Sequence, residues 1–275
     1  MEQTQSEYIL KPRQGLSAFA WGEIFAYRDL LWFLAWRNIN VRYKQTVIGA
    51  AWAIGQPFIT MIVFSVFFGR LAQVPSDGLP YPIFVYAGLL PWTFFSNVIR
   101  MSATSVVEDE KLITKVYFPR IIIPASVAGV ELIDFGVAFL IYVAMMMYFG
   151  TPFTVQIFLV PALLVLMTAA SLGCGLMLAA LTVAYRDFRY IVPFMIQLGL
   201  YVSPVIYPVS LVPEKWRWLL ALNPMSGIID GFRSALLGKP FDGMTLSISA
   251  AVSLGLFIAG VLYFKRLERT FADII

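Results

Sequence analysis

Long apolar runs separated by short polar loops organise this chain. Six of them, at about residues 49–69, 82–100, 121–149, 153–184, 191–207 and 246–264, approach the roughly 20 residues that a helix needs to cross a hydrocarbon core about 30 Å thick. The pattern predicts an all-α integral membrane protein with six transmembrane helices spread over residues 49–264. Residues 1–48 precede the first run, 209–245 form one longer loop between the fifth and sixth, and 265–275 form a short tail. The fifth run carries Pro193, Pro204 and Pro208, which predicts a bent or broken helix, because each proline removes a backbone donor and crowds the turn before it.

Ahead of the first run, Phe25, Trp32, Trp36, Ile39 and Tyr43 recur at helical spacing and share one face, with Glu23, Arg37, Asn38 and Lys44 roughly opposite. That periodicity predicts an interfacial helix, although Leu30 and Leu34 interrupt its polar side. The apolar stretch 30–36 is too short to span and lacks a small-residue cleavage site, so it does not read as a cleaved signal. In the 209–245 loop, apolar positions on either side of Asn223-Pro224 predict two short helices dipping into the outer interface.

Charge fixes the expected orientation. Fifteen of the 20 Lys and Arg fall on one side, in residues 1–48, in the second and fourth loops and in the tail, whereas Arg70, Lys215, Arg217, Arg233 and Lys239 fall on the other. The basic side and both termini should therefore be cytoplasmic. Apolar residues make up 60% of the chain and charged ones 13%, far from the about 25% charged residues of soluble domains, so lipid must cover what a core of this size cannot bury. The net charge of +4 follows the loops rather than forming one patch, and no nucleic-acid partner is expected.

Composition also removes chemistries. Histidine is absent and Cys174 is the single cysteine, so the usual proton shuttle, common metal-ligand sets and an internal disulfide are missing. A phosphate-cradling G-x-x-x-x-G-K-[ST] loop is absent too. Gly238-Lys239-Pro240 comes nearest but has proline where the hydroxyl belongs. The chain is expected to be no enzyme and to hold no cofactor or metal.

An ordered set of motifs remains: Tyr43-Lys44-Gln45-Thr46 with Gly49, Trp52 and Pro57, then Pro91-Trp92, then Tyr185-Arg186-Asp187, then Asn223-Pro224. In order and spacing this set resembles the membrane subunit of ABC-2 type exporters of cell-surface polysaccharide, over about residues 21–264. The resemblance implies a half-transporter of the bacterial inner membrane that acts as a homodimer. It further implies two copies of a separate ATP-binding subunit holding ATP and Mg²⁺, a lipid-linked polysaccharide as cargo, and an exit gate formed by the two short helices of residues 209–245 with the fifth run as its hinge. An ABC-2 exporter of small hydrophobic drugs or lipids shares the architecture, and a secondary transporter or channel would need no ATPase.

Candidate residues follow. In the cytoplasmic stretch 108–120, Glu108, Lys111 and Lys115 surround Ile113, Val116, Tyr117 and Phe118, which suits either a helix that docks the ATPase or one resting on lipid headgroups; Tyr185, Arg186 and Asp187 form a shorter second candidate. Tyr86, Trp92, Phe94, Phe95, Tyr201 and Tyr207 could stack on sugars along a channel wall or simply pack helices. Arg37, Arg42 and Lys44 could meet the pyrophosphate of an anchor lipid arriving laterally, or anionic headgroups in general. Glu131 and Asp134, one turn apart in the third run, either serve transport or pair structurally with Arg100 or a neighbouring helix. Small residues Ala169, Ala170, Ser171, Gly173, Gly175, Ala179 and Ala180 in the fourth run mark a close helix contact.

Overall fold

The computed structural model describes residues 21–44 and 49–271. Lys11, Arg13, Gln45 and Thr46, which entered the charge count and the basic motif, lie outside the described residues. The chain forms α1 (Trp21–Ala26), α2 (Arg28–Tyr43), α3 (Gly49–Phe64) prolonged by a π-helical stretch Ser65–Leu71, α4 (Tyr81–Glu108), α5 (Glu110–Lys115) and α6 (Ile122–Phe149). It continues with a 3-10 turn Val155–Leu159, α7 (Val160–Ala184), α8 (Phe188–Val202), a second 3-10 turn Val209–Leu211, α9 (Glu214–Ala221), α10 (Pro224–Leu237) and α11 (Gly243–Glu268). Among the described residues there is no strand. Four helices, Tyr81–Glu108, Ile122–Phe149, Val155–Ala184 and Gly243–Glu268, are long and apolar enough to cross a membrane; Gly55–Leu71 and Phe188–Val202 are apolar but shorter.

Local chemistry sets the ends of these helices. Asn223 caps α10 by accepting from the Met225 N–H at 3.0 Å, with Pro224 in the first turn, where its missing donor costs nothing. Asp242 caps α11 by accepting from the N–H groups of Met244 and Thr245. Gly150 and Gly238 close α6 and α10 in the left-handed region, at φ 64° and 69°. Two boundaries differ from the sequence expectation. α4 continues past Arg100 to Glu108, because Ser102, Ala103, Ser105 and Val106 are buried against the chain itself. α8 stops at Val202, and Val205 and Ile206 then turn back into the core, so the proline-rich run is broken rather than bent.

α4 sits at the centre, with α6 and α7 beside it and α11 on the far side of α7. Small residues allow this. A Cβ added at Gly260 of α11 would lie 2.2 Å from the Gly173 carbonyl oxygen of α7, and one at Gly175 would lie 2.8 Å from Ser102 Cβ of α4. Ala170, Ser171, Ala179 and Ala180 are buried alongside. Close approach of this kind supplies the dispersion contacts that replace a hydrophobic driving force between helices in lipid.

The long loop does form two helices, but α10 does not lie at the periphery. Met225, Ile228, Ile229, Phe232, Ala235 and Leu236 are completely buried, and α10 packs into the bundle against α4, α7 and α11. By contrast α9 leaves Trp216 and Trp218 exposed. Arg233 of α10 is 1% exposed, with its guanidinium 3.8 Å from the Phe84 ring. It donates from Nη2 to the Val205 carbonyl at 2.6 Å and from Nη1 to the Tyr207 carbonyl at 3.3 Å, tying α10 to the turn after α8. Gly88 leaves the room for this, since a Cβ there would stand 2.9 Å from Nη2.

At the same end, Asp77 accepts from Lys239 Nζ and from Ser210 Oγ, each at 2.8 Å, and so joins three loops. Partial burial works against its charged form, yet the hydrogen bonds from Lys239 and Ser210 outweigh it and hold the carboxyl below its ordinary 3.8.

Two outcomes are expected. Gly260→Leu forces a side chain into the Gly173 backbone and should cost about 3 kcal/mol or more, read as a lower midpoint of unfolding in detergent. Because the folded Asp77 carboxyl binds its proton more weakly than the unfolded one, its contribution is full at neutral pH and is lost as pH falls through the carboxylate range. Asp77→Asn should thus be less stable than the wild type at pH 7, with the gap closing once pH falls below the folded Asp77 carboxyl's lowered pKa; a gap that persists unchanged in acid would contradict this.

Candidate functional site

The face α2 turns inward is part apolar and part polar. Trp32, Phe33 and Trp36 are exposed, as is Phe25 of α1, while Leu34 and Ala35 are buried and Arg37, Asn38 and Arg42 follow them at helical spacing along the same side. Leu34, which seemed to spoil the polar side, inserts into an apolar cluster with Val106, Ile113, Phe118, Ile122, Val183 and Phe264. An outward aromatic face and an inward one that is part polar suit a helix whose apolar neighbour is lipid and whose protein neighbour carries charge.

That charge belongs to α6. Arg42 Nη1 donates to Glu131 Oε1 at 2.7 Å and to Asp134 Oδ2 at 2.6 Å. The Tyr43 hydroxyl donates to Asp134 Oδ1, and Asn97 Nδ2 of α4 donates to Glu131 Oε2 at 3.1 Å. Arg100 reaches the cluster only through Asn97, donating to its Oδ1 at 3.1 Å. Nearer the start of α5, Arg37 donates to both oxygens of Asp109, at 3.0 and 2.7 Å, and Asn38 donates to Ser126 Oγ at 3.3 Å. The clasp borders a cavity of about 190 Å³ between α3, α4 and α6, into which Gln56, Thr93 and Arg100 also face.

Glu131 is 1% exposed and Asp134 is largely buried, so neither carboxylate can rely on water. Each is matched by Arg42 and by one neutral donor, the arrangement that makes a buried anion tolerable. The two acids therefore pair with Arg42, not with Arg100. Arg37 and Arg42 are both engaged by carboxylates, and a phosphate approaching either would have to displace one. Lys44, at the end of α2, is exposed. Sequence reasoning missed Asn97, Asp109 and Tyr43 as partners; an asparagine inside an apolar run was the available signal for the first.

Around this clasp the end of the bundle carries two exposed elements. Ile113 and Phe118 are buried in the chain's own core and anchor the α5 loop, which corrects their reading as contact residues. Val116 and Tyr117 project between them, 52% and 84% exposed, beside exposed Glu108, Lys111 and Lys115. Arg120 ties the loop to the end of α11 by donating to the Glu268 carboxylate and backbone carbonyl, each at 2.6 Å. At the same end, Tyr185, Arg186 and Asp187 are exposed between α7 and α8.

The aromatic candidates separate. Tyr86 is fully buried and stacked on Tyr142, its ring centroid 6.1 Å away. Phe94 packs edge-on against Phe135 at 6.0 Å, and Trp92 is buried over Gly199. Helix packing within one chain accounts for these three. Phe95 and Tyr207 are half-buried, Tyr207 donating to the Val202 carbonyl at 2.9 Å, and Tyr201 is exposed on the apolar outer face of α8.

Removing Arg42 alone leaves Glu131 and Asp134 with only their neutral donors and takes away the cation they share. Arg42→Ala should cost about 3 kcal/mol, whereas adding Glu131→Gln and Asp134→Asn should restore much of the loss, a non-additivity that thermal unfolding of the single, double and triple variants would measure.

Residues 29–237 match the family described as ABC-2 type transporter. The chain is 30% identical over 255 residues to an "O-antigen export system permease protein RfbA" of Myxococcus xanthus, covering 91% of this chain and 97% of that protein. A protein of the same name from Klebsiella pneumoniae is 26% identical over 90% of this chain and 95% of its own length. "Polysialic acid transport protein KpsM" of Escherichia coli is 24% identical over 84% and 91%. The chain belongs to the ABC-2 type transporter family.

Proposed function

We propose that the chain is the membrane-spanning half of an ATP-driven exporter of lipid-linked polysaccharide, with α3, α4, α6, α7, α8 and α11 as its six spans and a homodimer as its working form. The observation that carries this reading is the end-to-end likeness to permeases named for O-antigen export. The basic end, with α2, α5 and both termini, faces the cytoplasm by the positive-inside rule. Two copies of an ATP-binding subunit dock there and hold ATP and Mg²⁺. The Val116-Tyr117 knob and the Tyr185-Arg186-Asp187 turn are the contact points, because an exposed aromatic ringed by charges is the composition of an interface centre with a polar rim.

The glycan path runs beside α8, where Tyr201 is open and Phe95 and Tyr207 are half-buried, with Trp92, Phe94 and Tyr86 as the layer that holds them in place. The anchor lipid approaches α2 from the side. Its pyrophosphate meets Lys44 first and then competes with Glu131 and Asp134 for Arg42. A secondary transporter would use those acids for ions, a reading that their full match with Arg42, Tyr43 and Asn97 disfavours.

The test is lipid-linked glycan export from vesicles containing the chain and its partner ATPase. Val116→Glu with Tyr117→Ala should lower ATP-dependent export about tenfold, equivalent to about 1.4 kcal/mol of coupling, while Phe158→Ala, equally exposed at the other end, changes nothing. Export without any ATPase would overturn the proposal.

A further inference from the structure

We infer that the groove between α3, α4 and α6, at the end opposite α2, binds one anionic phospholipid, with an acyl chain lying along α3 and the phosphate on Arg70. The inference rests on the chain being membrane-embedded and is independent of its cargo. The groove has a volume of about 780 Å³ and is distinct from the cavity beneath Arg42.

Its shape suits a lipid. One wall is the outward face of α3 and its π-helical extension, with Phe58, Ile62 and Val66, and the other is the last turns of α6, with Ala144 and Tyr148. From Phe58 to Gly69 the groove follows about three helical turns, about 16 Å at a rise of about 1.5 Å per residue, which is half of a hydrocarbon core about 30 Å thick. It is therefore one leaflet deep. Gly69 sets its upper limit, since its backbone lies flush against the Tyr81 ring, where an added Cβ would come within 2.8 Å.

Charge selects the occupant. Arg70 stands exposed at the mouth, in the last turn of the π-helical stretch. Among the described residues no carboxylate lies within ion-pair distance of it. A guanidinium offers a planar fork of donors that matches a phosphate, and its surroundings below are apolar. A transmembrane helix of a second copy could fill the apolar part, but it would leave Arg70 buried and unmatched, which is costly. A lipid supplies chain and counter-charge together. A choline headgroup would bring its own cation to Arg70, so an anionic headgroup binds better.

Native mass spectrometry of the full-length chain, released from mixed vesicles of phosphatidylglycerol and phosphatidylcholine, tests this directly. The wild type should retain one phosphatidylglycerol per chain, about tenfold in preference to phosphatidylcholine. Arg70→Ala should abolish the preference, Arg70→Lys should keep most of it, and Ala144→Trp, which fills the groove from the α6 side, should abolish retention of both lipids. Lipid-free unfolding midpoints matched to the wild type would identify which variants are folded, and Arg70→Lys against Arg70→Gln supplies the contrast if Arg70→Ala is not. Equal retention in the wild type, Arg70→Gln and Ala144→Trp would overturn the inference. So would preferential retention of a polyprenyl phosphate over phosphatidylglycerol, or efficient crosslinking of Ala144→Cys, in a Cys174→Ser background, to a second copy of the chain.

Discussion

A charge removed from water must be matched where it sits, and the interior of this protein is arranged around two such matches. At one end Arg42 reaches across from α2 to Glu131 and Asp134 of α6. At the other, Arg233 of α10 is spread over two backbone carbonyls and the face of Phe84, a partial match that leaves its buried Nε without a hydrogen-bond partner among the described residues. Neither arginine touches its own helix neighbours for this purpose. Each therefore fixes the position of a helix that hydrophobic contact alone would leave free to slide, since lipid solvates an apolar face as well as protein does.

The remaining packing is steric. α7 is held between α4 and α11 because Gly173, Gly175 and Gly260 let backbones meet. With that core set, the two arginine clasps attach the elements that differ from a plain bundle: α2, along the rim of one end, and α10, inserted into the other. The exposed Val116-Tyr117 knob is anchored on both sides, because Ile113 and Phe118 are buried and Arg120 holds the end of α11. A partner pressing on that knob would act on a loop fastened to α4, α6 and α11 together.

Much of this was legible in the sequence, and the limits have physical causes. Run lengths and loop charges located the apolar helices, and the small residues of α7 announced its close contacts, but Gly260, the partner across the interface, was one of three glycines in a helix without a repeat. Glu131 and Asp134 stood out as acids in an apolar run. Their partner did not, because Arg42 lies about 90 residues earlier on a helix whose periodicity gives a polar face without saying which way that face turns. Trp32 and Trp36 of α2 are exposed rather than packed on protein, whereas Tyr43 of the same predicted face turns in to Asp134. Arg233 counted as one base of a polar loop, and nothing in residues 224–237 distinguishes an amphipathic helix on an interface from one inserted in a core. Burial of Tyr86 and Phe94 was equally invisible, since stacking on a ligand and stacking on Tyr142 or Phe135 call for the same residue type.

The Arg42 clasp, and not the membrane surface alone, holds α2 to the bundle. The most direct measurement is the distance distribution between spin labels at exposed Trp36 of α2 and exposed Ile133 of α6, recorded in lipid bilayers. One narrow distribution that broadens when Arg42 is replaced by alanine is the result expected. A distribution already broad in the wild type, or unchanged by the replacement, would contradict the account.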